Sequence, residues 1–110
     1  MKGKLNIKPL SVNEAWKGKR YKTDKYKRFE IECLLTLKAS KLPEPPFEIH
    51  LIFGMSNILS DFDNPVKPFV DILQKKYLFN DRDIMKAKIE KVKTNKGEEF
   101  IFFELKELKL

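Results

Sequence analysis

The chain has very few of the residues on which several common catalytic and metal sites depend. It contains one cysteine and one histidine, so no intramolecular disulfide can form and a zinc site of Cys and His ligands is not supported. His50 lies in an apolar stretch, and no Ser/His/Asp or Cys/His triad can be assembled around it. The four glycines are isolated, which excludes a glycine-rich phosphate loop. We expect a cytoplasmic protein in which Cys33 fills the core.

Long apolar runs are absent as well. The opening residues, MKGKLNIK, lack the apolar segment of a signal peptide. If His50 is set aside, residues 49–60 form the longest stretch without an acidic or basic side chain, and it is too short to span a bilayer. These absences favour a soluble protein without a membrane partner.

What remains is the composition of one globular domain with a basic surface. The chain has 110 residues, 42% of them hydrophobic, and a formal net charge of +7, so we treat residues 1–110 as a single domain. The charge is densest in residues 17–28, KGKRYKTDKYKR, with Trp16, Tyr21 and Tyr26 alongside. Because basic side chains contact phosphates and aromatic rings stack on bases, this segment predicts a nucleic-acid interface. A solvated lysine face is the alternative. The basic residues are Lys17, Lys19, Arg20, Lys22, Lys25, Lys27 and Arg28.

Hydrophobic periodicity predicts the element order β-α-β-α-β-β. Alternation indicates strands near residues 4–8, 47–54, 84–94 and 100–108, and a polar loop is expected over 9–20. One helix should run from its cap, Thr23, to about residue 40, and a second should carry an apolar stripe over 66–77. Asn64 is the expected cap of the second helix, with Pro65 at its first position and Pro68 delaying its regular start. We expect an α+β domain with a mostly antiparallel mixed sheet and two helices packed on one face.

Between residues 60 and 83, aspartates gather in two close pairs, Asp61 with Asp63 and Asp81 with Asp83. Oxygen ligands in such a group suit Mg²⁺, which accepts one or two carboxylates and keeps waters for a phosphate ligand. A neighbouring lysine can balance the charge that develops on the phosphate. Each residue taken singly also has an ordinary explanation, as a helix cap, a loop residue or an ion pair of Lys67 with Asp63 or Asp71. The candidate residues are Asp61, Asp63, Asn64, Lys67, Asp81 and Asp83.

The same region takes part in a resemblance to a known family. Residues 61–71 read DFDNPVKPFVD, and Asn80-Asp81 follows them; nearer the start come PLSVN at 9–13 and GKRYKT at 18–23. Together these segments resemble the RusA family of Holliday-junction resolvases, which are small endonucleases. The resemblance extends from the first strand to about residue 90.

The resemblance implies a role for each matching residue. Asp61, Asp63 and Asp81 match the metal-binding carboxylates of the family, and Lys67 matches its essential lysine, so all four are expected to be catalytic. Asn64 would orient a carboxylate. We expect Asp83 to contact the metal ligands rather than the metal itself. Family members are homodimers that nick two strands of a four-way DNA junction with Mg²⁺ or Mn²⁺.

Two departures from the family pattern limit the resemblance. Residues 58–60, ILS, stand where arginines precede the first aspartate in the family, so junction contacts would fall to the basic residues 17–28. Pro65 and Pro68 are unusual neighbours for the lysine. Three alternatives remain open: a non-catalytic nucleic-acid-binding module, a metal-dependent nuclease for other branched or single-stranded DNA, and a structural protein. The apolar residues 49–59 are one hypothesis for a dimer surface.

Overall fold

The computed structural model describes residues 1–18, 21–57, 59 and 61–109. Within these ranges the chain forms a four-stranded sheet, a two-stranded sheet and three α-helices, which confirms the expected α+β class. The large sheet contains β1 (Lys2–Leu5), β4 (Phe47–Met55), β5 (Ile84–Lys93) and β6 (Phe100–Glu107). The small sheet contains β2 (Trp16–Lys17) and β3 (Tyr21–Lys22). The helices are α1 (Val12–Ala15), α2 (Asp24–Thr36) and α3 (Val66–Tyr77), and a 3₁₀ turn, Asp81–Asp83, precedes β5.

The large sheet has the strand order β1-β6-β4-β5. β6 pairs antiparallel with β1 and with β4, whereas β4 and β5 run parallel with Leu51 opposite Ile89. A parallel pair needs a crossover connection, and α3 lies in that connection. The crossover, residues 56–83, is also the segment that carries the candidate acidic residues. Two of the three pairings are antiparallel, so the expected mostly antiparallel mixed sheet is confirmed.

The core lies on one face of this sheet, where α2 and α3 pack. Every second residue of β4, from Phe47 to Phe53, is buried, and the β6 residues opposite Ile49, Leu51 and Phe53 are buried with them. On α3, Phe69 is fully buried and its ring lies 6.4 Å from that of Phe53 and 5.9 Å from that of Phe103. Large apolar side chains removed from water in this way contribute about 1.5–3 kcal/mol each. The two expected helices on one face are therefore confirmed.

α2 begins where the sequence predicts and ends earlier. Thr23 is its cap, and the Thr23 hydroxyl accepts a hydrogen bond from the Tyr26 N–H at 3.1 Å. The helix ends at Thr36, although its periodicity suggested about residue 40. The expected loop over residues 9–20 contains α1, capped by the Ser11 side chain, and β2. Elements of four and two residues are too short to show a hydrophobic period, which explains why they were missed.

The start of α3 differs from the expectation. Its N-cap is Pro65, with no side-chain cap bond, so the prediction of Asn64 as cap was wrong. Asn64 instead uses its backbone C=O, which accepts a hydrogen bond from the Val12 N–H at 2.8 Å. Pro68 lies in the first turn of α3 and does not delay its start. The N–H groups of a first turn have no partner within the helix, so a proline there loses nothing.

β4 is an inner strand of the sheet, between β6 and β5. Ile49, Leu51 and Phe53 are at most 2% exposed. These three side chains belong to the core and are not available for the dimer surface hypothesised at residues 49–59, whereas His50 and Ile52 between them are half-buried. Across the part of the chain that the structure describes, no helix is long and apolar enough to cross a membrane.

Candidate functional site

A groove between α3 and β5 brings together three of the four expected catalytic residues. The groove has a volume of about 400 Å³. Asp63, Lys67 and Asp81 line it together with apolar side chains of β4, α3 and β5, among them Val70 and Ala87. β5 is an edge strand, and Ala87 is exposed on it. The crossover topology thus brings Asp63 and Asp81, from opposite ends of α3, to one groove.

Asp63 is held at the entrance of α3 by two consecutive turns. The Asp61 C=O accepts a hydrogen bond from the Asn64 N–H at 3.2 Å, and the Asp63 C=O accepts one from the Val66 N–H at 3.0 Å. The side chains of Asp61 and Asp63 are exposed, but only Asp63 is among the residues that line the groove. The two aspartates of the motif therefore have different surroundings. The side chain of Asn64 is half-buried.

Lys67 forms an ion pair within its own helix. Its Nζ lies 2.7 Å from Asp71 Oδ1, which is the i, i+4 pairing that the sequence left open. The hydrogen bond to Asp71 raises the pKa of Lys67, against the effect of partial burial, and the charges of Asp71 and Asp81 raise it further. Lys67 is therefore a protonated cation at neutral pH, close enough to Asp81 to respond to its charge.

Asp81 is placed by a glutamine that sequence reasoning missed. The Asp81 N–H donates a hydrogen bond to Gln74 Oε1 at 2.9 Å, and Gln74 Nε2 lies 3.4 Å from Asp71 Oδ1. The spacing in the sequence could have indicated Gln74, because residues 67, 71 and 74 of a helix lie on the same face. Asp83 is half-buried, and it is not among the residues that line the groove.

The carboxylates of the described residues do not form a compact cluster. Over residues 1–18, 21–57, 59 and 61–109, no group of three or more His, Cys, Asp or Glu side chains is placed to hold a metal ion. Asp63 and Asp81 nevertheless line one groove, both are exposed, and neither takes part in an ion pair within those ranges. Mg²⁺ requires only one or two carboxylates. The donor set therefore fits a hard divalent cation.

The basic segment is partly committed to internal contacts. Lys22 pairs with Glu30 and Lys25 pairs with Glu14. Lys17, Lys27 and Arg28 are exposed, and no ion pair is found for them within the described ranges. Lys19 and Arg20 lie outside the described residues, as do Ile58 and Ser60 beside the acidic motif.

The aromatic residues of the segment have different roles. Tyr26 is 1% exposed, and its ring lies 5.6 Å from that of Trp16 in an edge-to-face contact. Burial, with the charges of Asp71 and Glu30, raises the pKa of Tyr26 to about 12. Tyr26 is thus a core residue and cannot stack on a base. Tyr21 is 72% exposed and remains available for stacking.

Glu30 connects the basic segment to the helix of Lys67. Its two carboxylate oxygens accept hydrogen bonds from Lys22 of β3 at 2.9 Å and from Lys75 of α3 at 2.6 Å. A backbone hydrogen bond from the Val12 N–H to the Asn64 C=O also joins α1 to the turn before α3. The sequence left open how the basic and acidic segments lie relative to each other. In the structure the β2–β3 hairpin is linked to α3.

His50 lies away from this groove, on the opposite face of the sheet. Its ring contacts that of Phe102 at 5.6 Å, and its Nε2 lies 3.6 Å from Glu90 Oε1. Nε2 is buried without a hydrogen-bond partner among the described residues. His50 is not among the residues that line the groove, so it has no part in the candidate site.

Comparison of the chain with protein-family models finds no match, and comparison with curated proteins finds none either. The resemblance to the RusA family therefore stays a hypothesis that rests on the motif.

Proposed function

We propose that this protein is a metal-dependent endodeoxyribonuclease that resolves four-way DNA junctions by paired symmetric nicks, in DNA recombination and repair. The observation that carries the proposal is the meeting of Asp63, Lys67 and Asp81 in one groove. Carboxylates that can hold Mg²⁺, and a cation that can stabilise developing negative charge, suit the hydrolysis of a phosphodiester. The resemblance to the resolvases, given by the same residues, narrows the substrate to junction DNA.

Asp63 and Asp81, with Asp61 from the adjacent turn, would hold Mg²⁺ or Mn²⁺. The bound ion would lower the pKa of a water molecule and polarise the scissile phosphate, so that in-line attack leaves a 5′-phosphate and a 3′-hydroxyl. Lys67 cannot serve as a general base, since Asp71 holds its ammonium group protonated. It would instead stabilise negative charge on the phosphoryl oxygens or donate a proton to the leaving oxygen. Asn64 and Asp83 would support the carboxylates.

The basic hairpin supplies the DNA contacts in this proposal. Lys17, Lys27 and Arg28 are exposed for phosphate contacts, Tyr21 offers an exposed ring, and Lys19 and Arg20 belong to the same segment of the sequence. Because Glu30 connects this hairpin to α3, DNA held there would be kept in register with the groove. Binding should weaken steeply with salt, since each phosphate contact releases a counterion.

Two opposed nicks require two active sites, so the working form would be a two-fold homodimer. One protomer would cut each of two strands related by the two-fold axis of the junction. A cytoplasmic location, expected from the single cysteine, belongs to the same proposal.

A second candidate is a nucleic-acid-binding module without catalysis. The observation that favours it is the absence, within the described ranges, of a carboxylate group already assembled for a metal. In that case the aspartates are turn residues and the basic hairpin is the functional surface. Binding would then depend on salt and ignore both Mg²⁺ and Asp63→Asn.

The deciding experiment compares a labelled synthetic four-way junction with a linear duplex, with Mg²⁺ and with EDTA. Wild type, Asp63→Asn and a control, Glu44→Gln, are assayed side by side; Glu44 is exposed in the loop before β4. We expect paired nicks on the junction by wild type and control, at least 100-fold less cutting by Asp63→Asn, and none in EDTA.

Each other outcome favours a named alternative. Metal-dependent cutting without preference for the junction would make the protein a nuclease for other branched or single-stranded DNA. Tight binding without cutting under any divalent metal would leave the binding module.

A further inference from the structure

One face of α3 carries three polar side chains that contact each other in sequence. Lys67, Asp71 and Gln74 are spaced by four and three residues, so they lie one above another along the helix. Lys67 Nζ is 2.7 Å from Asp71 Oδ1, and Gln74 Nε2 is 3.4 Å from the same oxygen. Gln74 Nε2 also lies 3.4 Å from the Val70 C=O, and Gln74 Oε1 accepts the hydrogen bond of the Asp81 N–H at 2.9 Å.

The direction of the Gln74 amide follows from its partners. A backbone N–H can only donate, so the atom facing Asp81 must be the amide oxygen. A carboxylate can only accept, so the amide nitrogen faces Asp71. Both ends of the Gln74 amide are therefore used. If the amide were flipped, its nitrogen would face the Asp81 N–H, donor against donor, and its oxygen would face the Asp71 carboxylate, acceptor against acceptor.

The turn that carries Asp81 lies between Phe79, whose ring packs against that of Phe47, and β5. It is three residues long and follows Leu78, which ends α3 in the left-handed conformation. Among the described residues its other backbone hydrogen bonds are local: the Arg82 N–H donates to the Asn80 side chain at 2.9 Å, the Asp83 N–H to the Asn80 C=O at 3.1 Å, and the Ile84 N–H to the Asp81 C=O. These bonds define the shape of the turn but not its place relative to α3. The Gln74 bond spans seven residues and joins the turn to that helix.

We propose that Gln74 is a positioning residue that holds Asp81 at the groove, in line with Lys67 on the same helix. Asp71 completes the arrangement, since it contacts both Lys67 and Gln74. The metal-binding part of this inference rests on the proposed function, because there Asp81 is a metal ligand. The link between Gln74 and the turn does not depend on it.

The test compares wild type with Gln74→Leu, and uses Lys76→Leu as the control. Lys76 is on the same helix, receives the same new side chain and is not among the contacts of Gln74. Three quantities are measured: the Kd of Mn²⁺ by calorimetry, hydrogen exchange at the Asp81 amide by NMR, and the Tm. If Gln74→Leu fails to fold, Gln74→Met replaces it, since this unbranched side chain has a similar length and suits a helix.

We expect Gln74→Leu to weaken Mn²⁺ binding about tenfold, as residues that orient metal ligands do. The Asp81 amide should exchange at least tenfold faster, while the Tm falls by only a few degrees and Lys76→Leu resembles wild type in all three measurements. Unchanged exchange at Asp81 would overturn the inference, and so would unchanged Mn²⁺ affinity in the presence of faster exchange.

The two proposals can fail separately. If wild type binds no Mn²⁺ and cuts no junction, the proposed nuclease fails, and the amide exchange alone still decides whether Gln74 holds the turn. If wild type binds Mn²⁺ and Gln74→Leu binds it equally well, the nuclease stands and the positioning role is wrong.

Discussion

Glu30 provides the sharpest test of how the basic hairpin and α3 are joined. Its side chain is 16% exposed and accepts hydrogen bonds from Lys22 at 2.9 Å and from Lys75 at 2.6 Å. The change Glu30→Gln keeps the shape of the side chain and removes the charge. It therefore tests the electrostatic part of the link without leaving a cavity.

The expected loss of stability follows from the exposure of the partners. A hydrogen bond to a charged group contributes about 1.5–3 kcal/mol when it is shielded, and an exposed ion pair about 0.2–1 kcal/mol. Lys22 is 33% and Lys75 52% exposed, and glutamine can still accept one hydrogen bond. We therefore expect Glu30→Gln to lower the free energy of unfolding by about 1–2 kcal/mol at pH 7, or the Tm by about 4–8 °C.

The pH dependence provides the second half of the test. Burial by itself would raise the pKa of Glu30, but the hydrogen bonds from Lys75 and Lys22 outweigh it, and the net pKa lies below the ordinary value of 4.5. A lowered pKa in the folded state means that the stabilisation is complete above the unfolded-state pKa and is lost as pH falls through the folded-state pKa. The difference between wild type and Glu30→Gln should therefore be constant near neutrality, begin to shrink at about pH 4.5, and vanish in stronger acid.

Urea unfolding followed by circular dichroism, at a series of pH values from 7 to 2, measures this difference. The matched control is Glu32→Gln, on the same helix and exposed. We expect the control to change stability by less than about 0.5 kcal/mol at every pH. Equal stability of wild type and Glu30→Gln at pH 7, or a difference that persists unchanged at pH 2, would refute the reasoning.

Three further predictions concern the core. Phe69→Ala should lower the free energy of unfolding by about 3–5 kcal/mol in urea titrations, because the ring is fully buried against two rings of the sheet; a loss under about 1 kcal/mol would contradict that packing. Gly54→Ala should cost about 1–3 kcal/mol, since the new methyl group would overlap the Phe100 ring and lie 2.9 Å from Thr94 Cγ2. The variant Phe100→Leu should recover part of that loss in the double mutant, and strict additivity would argue against the overlap. The Cys33 thiol is buried, which raises its pKa to about 12. It should not react with a thiol reagent at pH 8 until denaturant is added, and rapid native labelling would show that it is accessible.

Local patterns were sufficient for most of the regular elements. Strand β4 was visible from the alternation of Phe47, Ile49, Leu51 and Phe53, and α3 from an apolar stripe that matches its observed bounds. Both signals arise because a residue's burial repeats with the geometry of its own element. The Thr23 cap was equally local, because its bond to the Tyr26 N–H spans only three residues.

The errors have two physical causes: elements too short to show a period, and contacts between distant parts of the chain. A hydrophobic period cannot be detected in α1 or in β2 and β3, each four residues or shorter. The cap of α3 depended on the Asn64 C=O bond to Val12, a contact between distant parts of the chain. From the sequence, Tyr26 was expected to stack on a base, because it lies among lysines. In the structure, packing against the core buries its side chain.

For the candidate site, the sequence by itself determined which chemical groups are available: carboxylates, one lysine and a basic hairpin. Only the tertiary structure decided which of them meet. The parallel pairing of β4 and β5 places Asp63 and Asp81 at one groove and leaves Asp61 outside its lining. The packing of the elements also brings the Gln74 side chain to the Asp81 N–H, and Glu30 of α2 to Lys75 of α3. Contacts of this kind depend on how elements pack in three dimensions, and the period of any one element specifies its buried face but not its neighbour.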